Sequence, residues 1–122
     1  MKYPLHKNET GSFQELIHAS DVEFGQLSLL TVVPRRLRGG HYHKRKTEWF
    51  CCIRGECCLV ITDIRGEQHE CFVLKGDDKE FTVVKPDSVH TVLNATDHEC
   101  ELLIIADEEY NSEDADTYIK EH

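Results

Sequence analysis

Two histidines one residue apart, inside a stretch that favours extended backbone, constrain this chain most. They lie in the run Arg38-Gly39-Gly40-His41-Tyr42-His43-Lys44-Arg45-Lys46-Thr47-Glu48. Alternate side chains of a β-strand point to the same face, so a strand brings His41 and His43 together, whereas a helix would splay them apart. Glu48 follows on the same stretch and His90 lies further along the chain. Three imidazoles and a carboxylate form a ligand set for one divalent ion. A single histidine on a strand is usually a surface or core residue. The combination at this spacing points to metal, with His41, His43, Glu48 and His90 as the expected ligands, and a metal held by strands implies a barrel interior.

The rest of the chain supports a β reading. Val, Ile, Leu, Phe, Thr and Cys recur in short runs split by turn residues. Strands are expected near 12–17, 26–33, 38–44, 47–54, 57–64, 68–75, 80–84, 88–94 and 99–106. Arg54-Gly55-Glu56 and Arg65-Gly66-Glu67 are expected hairpin turns, with Gly where φ is positive. Short strands at this spacing argue an all-β sandwich or small barrel, and the 122 residues suit one domain. Residues 1–106 are expected to form the barrel. Residues 107–122 form an acidic tail, in which six of the ten residues from Asp107 to Asp116 are Asp or Glu. This tail is either solvated, packed across a dimer or laid over the barrel mouth, and a short helix around 115–120 could form in it, docked by Tyr118 and Ile119.

The net charge of -9 argues against nucleic acid and anionic membrane as partners. No apolar run suits a signal peptide or a membrane span, so a cytoplasmic protein is expected. The six cysteines are then reduced thiols. Adjacent strand residues face opposite sides, so the Cys51-Cys52 and Cys57-Cys58 pairs are read as small buried apolar residues rather than a zinc site. Against the acidic background, Arg35, Arg36, Arg38, Lys44, Arg45 and Lys46 make a local basic patch beside the histidines. It suits a phosphate-bearing ligand, or else a basic strand paired with the acidic tail. Arg36, Arg38 and Lys46, with Gln26, are the candidate substrate-binding residues.

The spacing His-x-His-x4-Glu-x6-Gly from His41 to Gly55, with His90-x3-Asn94 later, resembles the two motifs of the cupins. Lys85-Pro86-Asp87-Ser88-Val89-His90 departs from the usual Pro-x-Gly-x-x-His, with Asp87 at the Gly position, and Asp tolerates left-handed backbone. Further segments resemble the nucleotide-sugar cupins, above all the C-terminal cupin domain of the bifunctional capsular polysaccharide synthesis epimerase/reductases. These are Gly11-Ser12-Phe13-Gln14-Glu15-Leu16, Phe24-Gly25-Gln26-Leu27-Ser28, Gly76-Asp77, Val83-Val84 and Asp116-Thr117-Tyr118. The Arg38-Gly39-x-His41-Tyr42 run also resembles the dTDP-4-keto-6-deoxyglucose 3,5-epimerases.

The resemblance implies a jelly-roll-like cupin barrel that binds a divalent ion, zinc first and iron, nickel or manganese as alternatives. It implies epimerisation at C3, or ketoisomerisation, of a nucleotide-linked 4-keto-6-deoxy sugar in cell-surface polysaccharide synthesis. The sequence holds no GxGxxG fingerprint, so redox-neutral chemistry is expected, with a separate sugar reductase as a possible partner and a homodimer as the assembly. In metal-free relatives the histidine matching His41 is the catalytic base. If His41 ligates metal it cannot hold both roles, which leaves Glu15, His90 and Tyr110 as candidates. A non-catalytic sugar- or effector-binding cupin and an iron(II) dioxygenase remain alternatives.

Overall fold

The computed structural model describes residues 2–120, which places His122 outside the described residues. Eleven strands run in the order β1 (Leu5–Asn8), β2 (Gly11–Gln14), β3 (Gln26–Val32), β4 (Arg36–Tyr42), β5 (Glu48–Arg54), β6 (Glu56–Asp63), β7 (His69–Lys75), β8 (Thr82–Val84), β9 (Ser88–Asn94), β10 (Cys100–Ala106) and β11 (Tyr118–Ile119). They build a hairpin, β1-β2, a four-stranded sheet, β3-β10-β5-β8, and a five-stranded sheet, β11-β4-β9-β6-β7. All pairings are antiparallel. The two larger sheets face one another as a cupin jelly roll.

Between them lies the main core of Val32, Phe50, Cys52, Cys57, Leu59, Leu74, Val84, Val92, Cys100 and Leu102. Phe50 and Cys52 on β5 point into it. Trp49 and Cys51 point the other way and pack with Phe81, Ile105, Leu16, Ile17 and Val22. Strand β5 is thus covered on both faces, which explains its unbroken apolar run Trp49-Phe50-Cys51-Cys52-Ile53. The cysteines behave as small apolar residues: Cys51, Cys52, Cys57 and Cys100 are buried, and burial pushes the Cys51 thiol up to about 11. Cys58 is half-buried, and Cys71 is exposed on β7.

Two motif positions acquire physical roles here. Gly55 has φ +79 at the β5–β6 turn. Asn94, fully buried, donates from Nδ2 to the carbonyls of Val32 (3.0 Å) and His98 (2.7 Å), while its Oδ1 accepts from the Thr96 amide and hydroxyl. It ties the β9–β10 turn to β3.

Among the described residues the acidic tail forms no helix. Asp116 adopts φ +49, and Tyr118–Ile119 pair with β4 as β11. A left-handed residue interrupts a right-handed helical turn, and the β4 edge offers the backbone partners instead. The tail is not freely solvated either, because Asp116 is buried.

Candidate metal centre and cavity

The register of β4 and β9 decides the site. The pairing shifts between Gly39 and His41, with Gly40 as the extra residue at φ +78. Gly39 (φ +123) lets the strands approach: a Cβ there would lie 2.6 Å from the His90 carbonyl oxygen. After this bulge His41 stands opposite His90. Strand β4 then ends at Tyr42, so His43 lies just beyond the ladder and is not on the regular strand that the His-x-His spacing implies.

Three of the four expected ligands gather. Ligand atoms of His43, Glu48 and His90 all lie within 4.8 Å of one another. Glu48 Oε1 is 2.8 Å from His43 Nε2 and 3.3 Å from His90 Nε2. Each ring turns its other nitrogen to a main-chain carbonyl, His43 Nδ1 to Asp116 (2.7 Å) and His90 Nδ1 to Ser88 (3.3 Å). A carbonyl only accepts, so both Nδ1 atoms carry hydrogen and both Nε2 atoms are turned toward Glu48. Histidine ligands are held in this way in metal sites. Donors around a tetrahedral zinc at ~2.0–2.1 Å stand roughly 3.3–3.5 Å apart, so the spacing and donor types fit a divalent ion. Asp87 explains the altered second motif. At φ +62 it fills the left-handed position of the usual Gly, and its amide donates to the His43 carbonyl at 2.7 Å.

His41 stands outside this group of three but lines the same cavity, of about 370 Å³. That lies toward the lower end of the ~300–1,000 Å³ of ligand pockets. Leu30, Phe50, Val92 and Ile104 form its apolar floor, and Arg38, Lys46, Glu108, Tyr110 and Thr117 contribute polar groups. Glu15 is elsewhere: it is exposed, pairs with His18 at 3.2 Å, and does not line the cavity, so within one chain it cannot be the base. Gln26 lines the cavity but is engaged, donating to Ser28 Oγ and accepting from the Tyr110 amide at 2.9 Å. It holds Tyr110 in place rather than standing free for a ligand.

Most of the basic patch is also engaged. Arg35 pairs with Asp97, and Arg36 is exposed and donates to the Arg35 carbonyl. Arg45 bridges Glu108 and Asp114. Lys44 lies over the Tyr118 ring, and buried Lys46 donates to the Ala115 carbonyl. The pairing of basic strand with acidic tail thus accounts for much of the patch. Arg38 is the guanidinium that remains in the cavity lining. Sequence reasoning missed Asp116, Glu108 and Thr117. Asp116-Thr117-Tyr118 carried a resemblance, but no periodicity marked Asp116 as buried.

The cluster is electrostatically coupled. Desolvation pushes the His43 imidazole down, but the Glu48 hydrogen bond, the Asp116 carbonyl and the Glu48 charge outweigh it and raise its pKa. Desolvation pushes Glu48 up, but the His43 bond and neighbouring positive charge bring it below its ordinary value. Burial lowers His90. For the metal-free protein the signs follow from linkage. The His43 contribution is present below its ordinary 6.5 and lost as pH rises through the raised value. Folded His90 resists the proton that the unfolded chain takes up, so stability falls as pH drops below 6.5. Glu48 adds a further loss as pH falls from 4.5 through its lowered value. The contribution of the cluster should peak near pH 6.5, and its His43 part, read as a thermal midpoint in chelator relative to His43→Gln, should shrink as pH rises above 6.5. A difference still growing at pH 8 would contradict this.

With this geometry established, comparison with known proteins places the chain. Residues 6–118 match the family described as the polysaccharide biosynthesis C-terminal domain. A UDP-2-acetamido-2,6-beta-L-arabino-hexul-4-ose reductase of Pseudomonas aeruginosa is 30% identical over 115 residues, spanning 94% of this chain and 30% of that protein. The capsular polysaccharide assembling protein CapF of Staphylococcus aureus superposes with a TM-score of 0.77 at 22% identity, over 98% of this chain and 34% of its own. ChmJ, a 3'-monoepimerase from Streptomyces bikiniensis crystallised with dTDP-quinovose, gives a TM-score of 0.82 at 16% identity, over 98% of this chain and 67% of its own. The sugar 3,4-ketoisomerase QdtA of Thermoanaerobacterium thermosaccharolyticum, in complex with TDP, gives 0.78 at 19%, over 96% and 83%. This chain thus spans about a third of the length of the reductase and of CapF. No helix among the described residues is long and apolar enough to cross a membrane. The chain belongs to the polysaccharide biosynthesis C-terminal domain family, built on a cupin barrel.

Proposed function

We propose that this chain is a metal-binding cupin that moves a proton on the carbon beside the keto group of a nucleotide-linked 4-keto-6-deoxy sugar, as a C3 epimerase or ketoisomerase. The observation that carries the reading is the position of His41, inside the cavity yet outside the His43–Glu48–His90 group. A three-residue ligand set leaves this imidazole for acid–base work, which removes the conflict between ligand and base. His43, Glu48 and His90 would hold the ion, with zinc ahead of iron, nickel or manganese. When bound, the ion supplies a Lewis acid for a keto oxygen.

The chain's own groups do the rest. His41 takes the proton from carbon, and imidazole is the commonest side chain in such transfers. The electron pair left behind moves onto the keto oxygen as an enolate. Tyr110, which lines the cavity with its amide held by Gln26, would return a proton to the other face for epimerisation. Arg38 would take a phosphate of the nucleotide. The apolar floor of Leu30, Val92 and Ile104 suits the deoxygenated C6 of the sugar and sheds water from the enolate. No oxidant or reductant is consumed, so reduction of the product falls to a separate reductase domain or protein.

The reading is tested with a UDP-linked 2-acetamido-2,6-dideoxy-4-keto hexose in D₂O, followed by mass spectrometry. Deuterium should enter beside the keto group when protein and zinc are both present. Tight sugar binding without wash-in would leave a non-catalytic binder, and oxygen uptake with added iron would favour a dioxygenase.

A homodimer is part of the proposal. Strand β3 is a sheet edge whose outward residues Leu27 and Leu29 are 53% and 61% exposed, with Val33 (50%) following. Apolar side chains beside a free edge are commonly covered by a partner. A monomer in sedimentation at micromolar concentration would remove this element.

A further inference from the structure

We infer that Asp116 is a positioning residue for His43, and that the segment around it is a built part of the site. His43 lies beyond the end of β4, where its carbonyl accepts from the Asp87 amide, and it opens the loop 43–47. The ends of that loop are tied to Asp87 and Asp107, and the amides between them are held by one carboxylate. The Lys44 amide donates to Asp116 Oδ1 at 3.0 Å, and the Arg45 and Lys46 amides donate to Oδ2 at 3.0 and 3.1 Å. Three successive N–H groups converge on a side chain that is 4% exposed. The same residue's carbonyl accepts from His43 Nδ1 at 2.7 Å. Both contacts come from one residue because φ is +49 there, a conformation Asp adopts more readily than most residues.

The neighbours of Asp116 hold it in place. The Ala115 carbonyl accepts from Lys46 Nζ, Asp114 pairs with Arg45, and Tyr118 stacks on Tyr42 within the β11–β4 pairing. Asp116 thus sets the backbone of the ligand loop with its carboxylate and the ring of His43 with its carbonyl. With Nδ1 engaged, Nε2 is the nitrogen turned toward Glu48 Oε1. Outer-shell partners of metal-bound histidines are typically worth ~10–100-fold in affinity. That consequence rests on the metal reading above, whereas the orientation of His43 does not.

The test uses ¹⁵N-labelled full chain, with and without zinc. In the wild-type protein His43 should show an Nδ1–H protected from solvent exchange, with zinc on Nε2. Asp116→Ala keeps the carbonyl that faces Nδ1 but removes the carboxylate that anchors three amides, so as the loop loosens the Nδ1–H should lose its protection and zinc binding should weaken by ~10–100-fold, while the zinc-free protein still unfolds cooperatively. A His43 Nδ1 that binds zinc, or an Nδ1–H exchanging as freely as that of exposed His98, would overturn the inference. So would an Asp116→Ala protein with wild-type zinc affinity and an unchanged His43 signal. If the variant fails to fold, the wild-type spectrum decides. If the wild type binds no zinc, the metal reading fails, and the zinc-free His43 signal in the two proteins still decides the role of Asp116.

Discussion

Replacing His41 with Gln is expected to leave zinc binding intact and to slow deuterium wash-in by about 10²–10⁴-fold, the usual worth of a positioned general base. The separation of the two effects is the point. His41 lines the cavity opposite His90 but lies outside the group of His43, Glu48 and His90. Gln preserves length and hydrogen bonding while removing a group that exchanges protons near neutrality. Zinc is measured by competition with a chromophoric chelator, and wash-in on the same preparation. A variant that loses zinc and wash-in together would return His41 to the ligand set, as the strand spacing by itself implies. A variant that keeps both would leave Tyr110 or another group as the base.

Glu48→Gln is expected to give the opposite pattern, with zinc lost and wash-in lost with it. Glu48 Oε1 faces both Nε2 atoms, and its side chain is 13% exposed. An amide is a poor ligand for zinc beside two imidazoles. The fall in affinity should exceed the ~10–100-fold of an outer-shell change. The zinc-free variant keeps a neutral acceptor but loses the negative charge facing His43 and His90, and with it the peak of stability near pH 6.5. Zinc retained at wild-type affinity would defeat the three-residue ligand set.

Much of the fold was legible because the β signal is local. The nine expected strands correspond to β2 through β10, with ends shifted by a few residues. The missed strands, β1 and β11, have four and two residues and lie mostly exposed, so no buried face marks them in the sequence. At the site, the residue types were legible and their geometry was not. The rule that i and i+2 share a face holds only while the strand stays regular. Gly40 supplied the extra residue and Tyr42 ended the strand, and Gly-Gly in a sequence signals freedom without saying how it is used. Asp87 was readable, since a left-handed turn before His90 needs Gly or a short polar residue. Asp116 was not. In a run of acids, the one buried beneath three amides looks like its neighbours, and only the fold of the 44–46 loop sets it apart.

One consequence concerns where this barrel would open. Glu48 sits on the four-stranded sheet, whereas His90 and the β4 strand leading to His43 belong to the five-stranded sheet. Elsewhere between the sheets the seam is closed by buried side chains, among them Leu102, Leu59, Cys52, Cys57 and Cys100. At the mouth, the two halves of the sandwich are clasped by groups whose charge depends on the solution. Loosening should therefore start at the rim and spread inward, so the end that admits a ligand is also the end whose rigidity the surroundings can adjust.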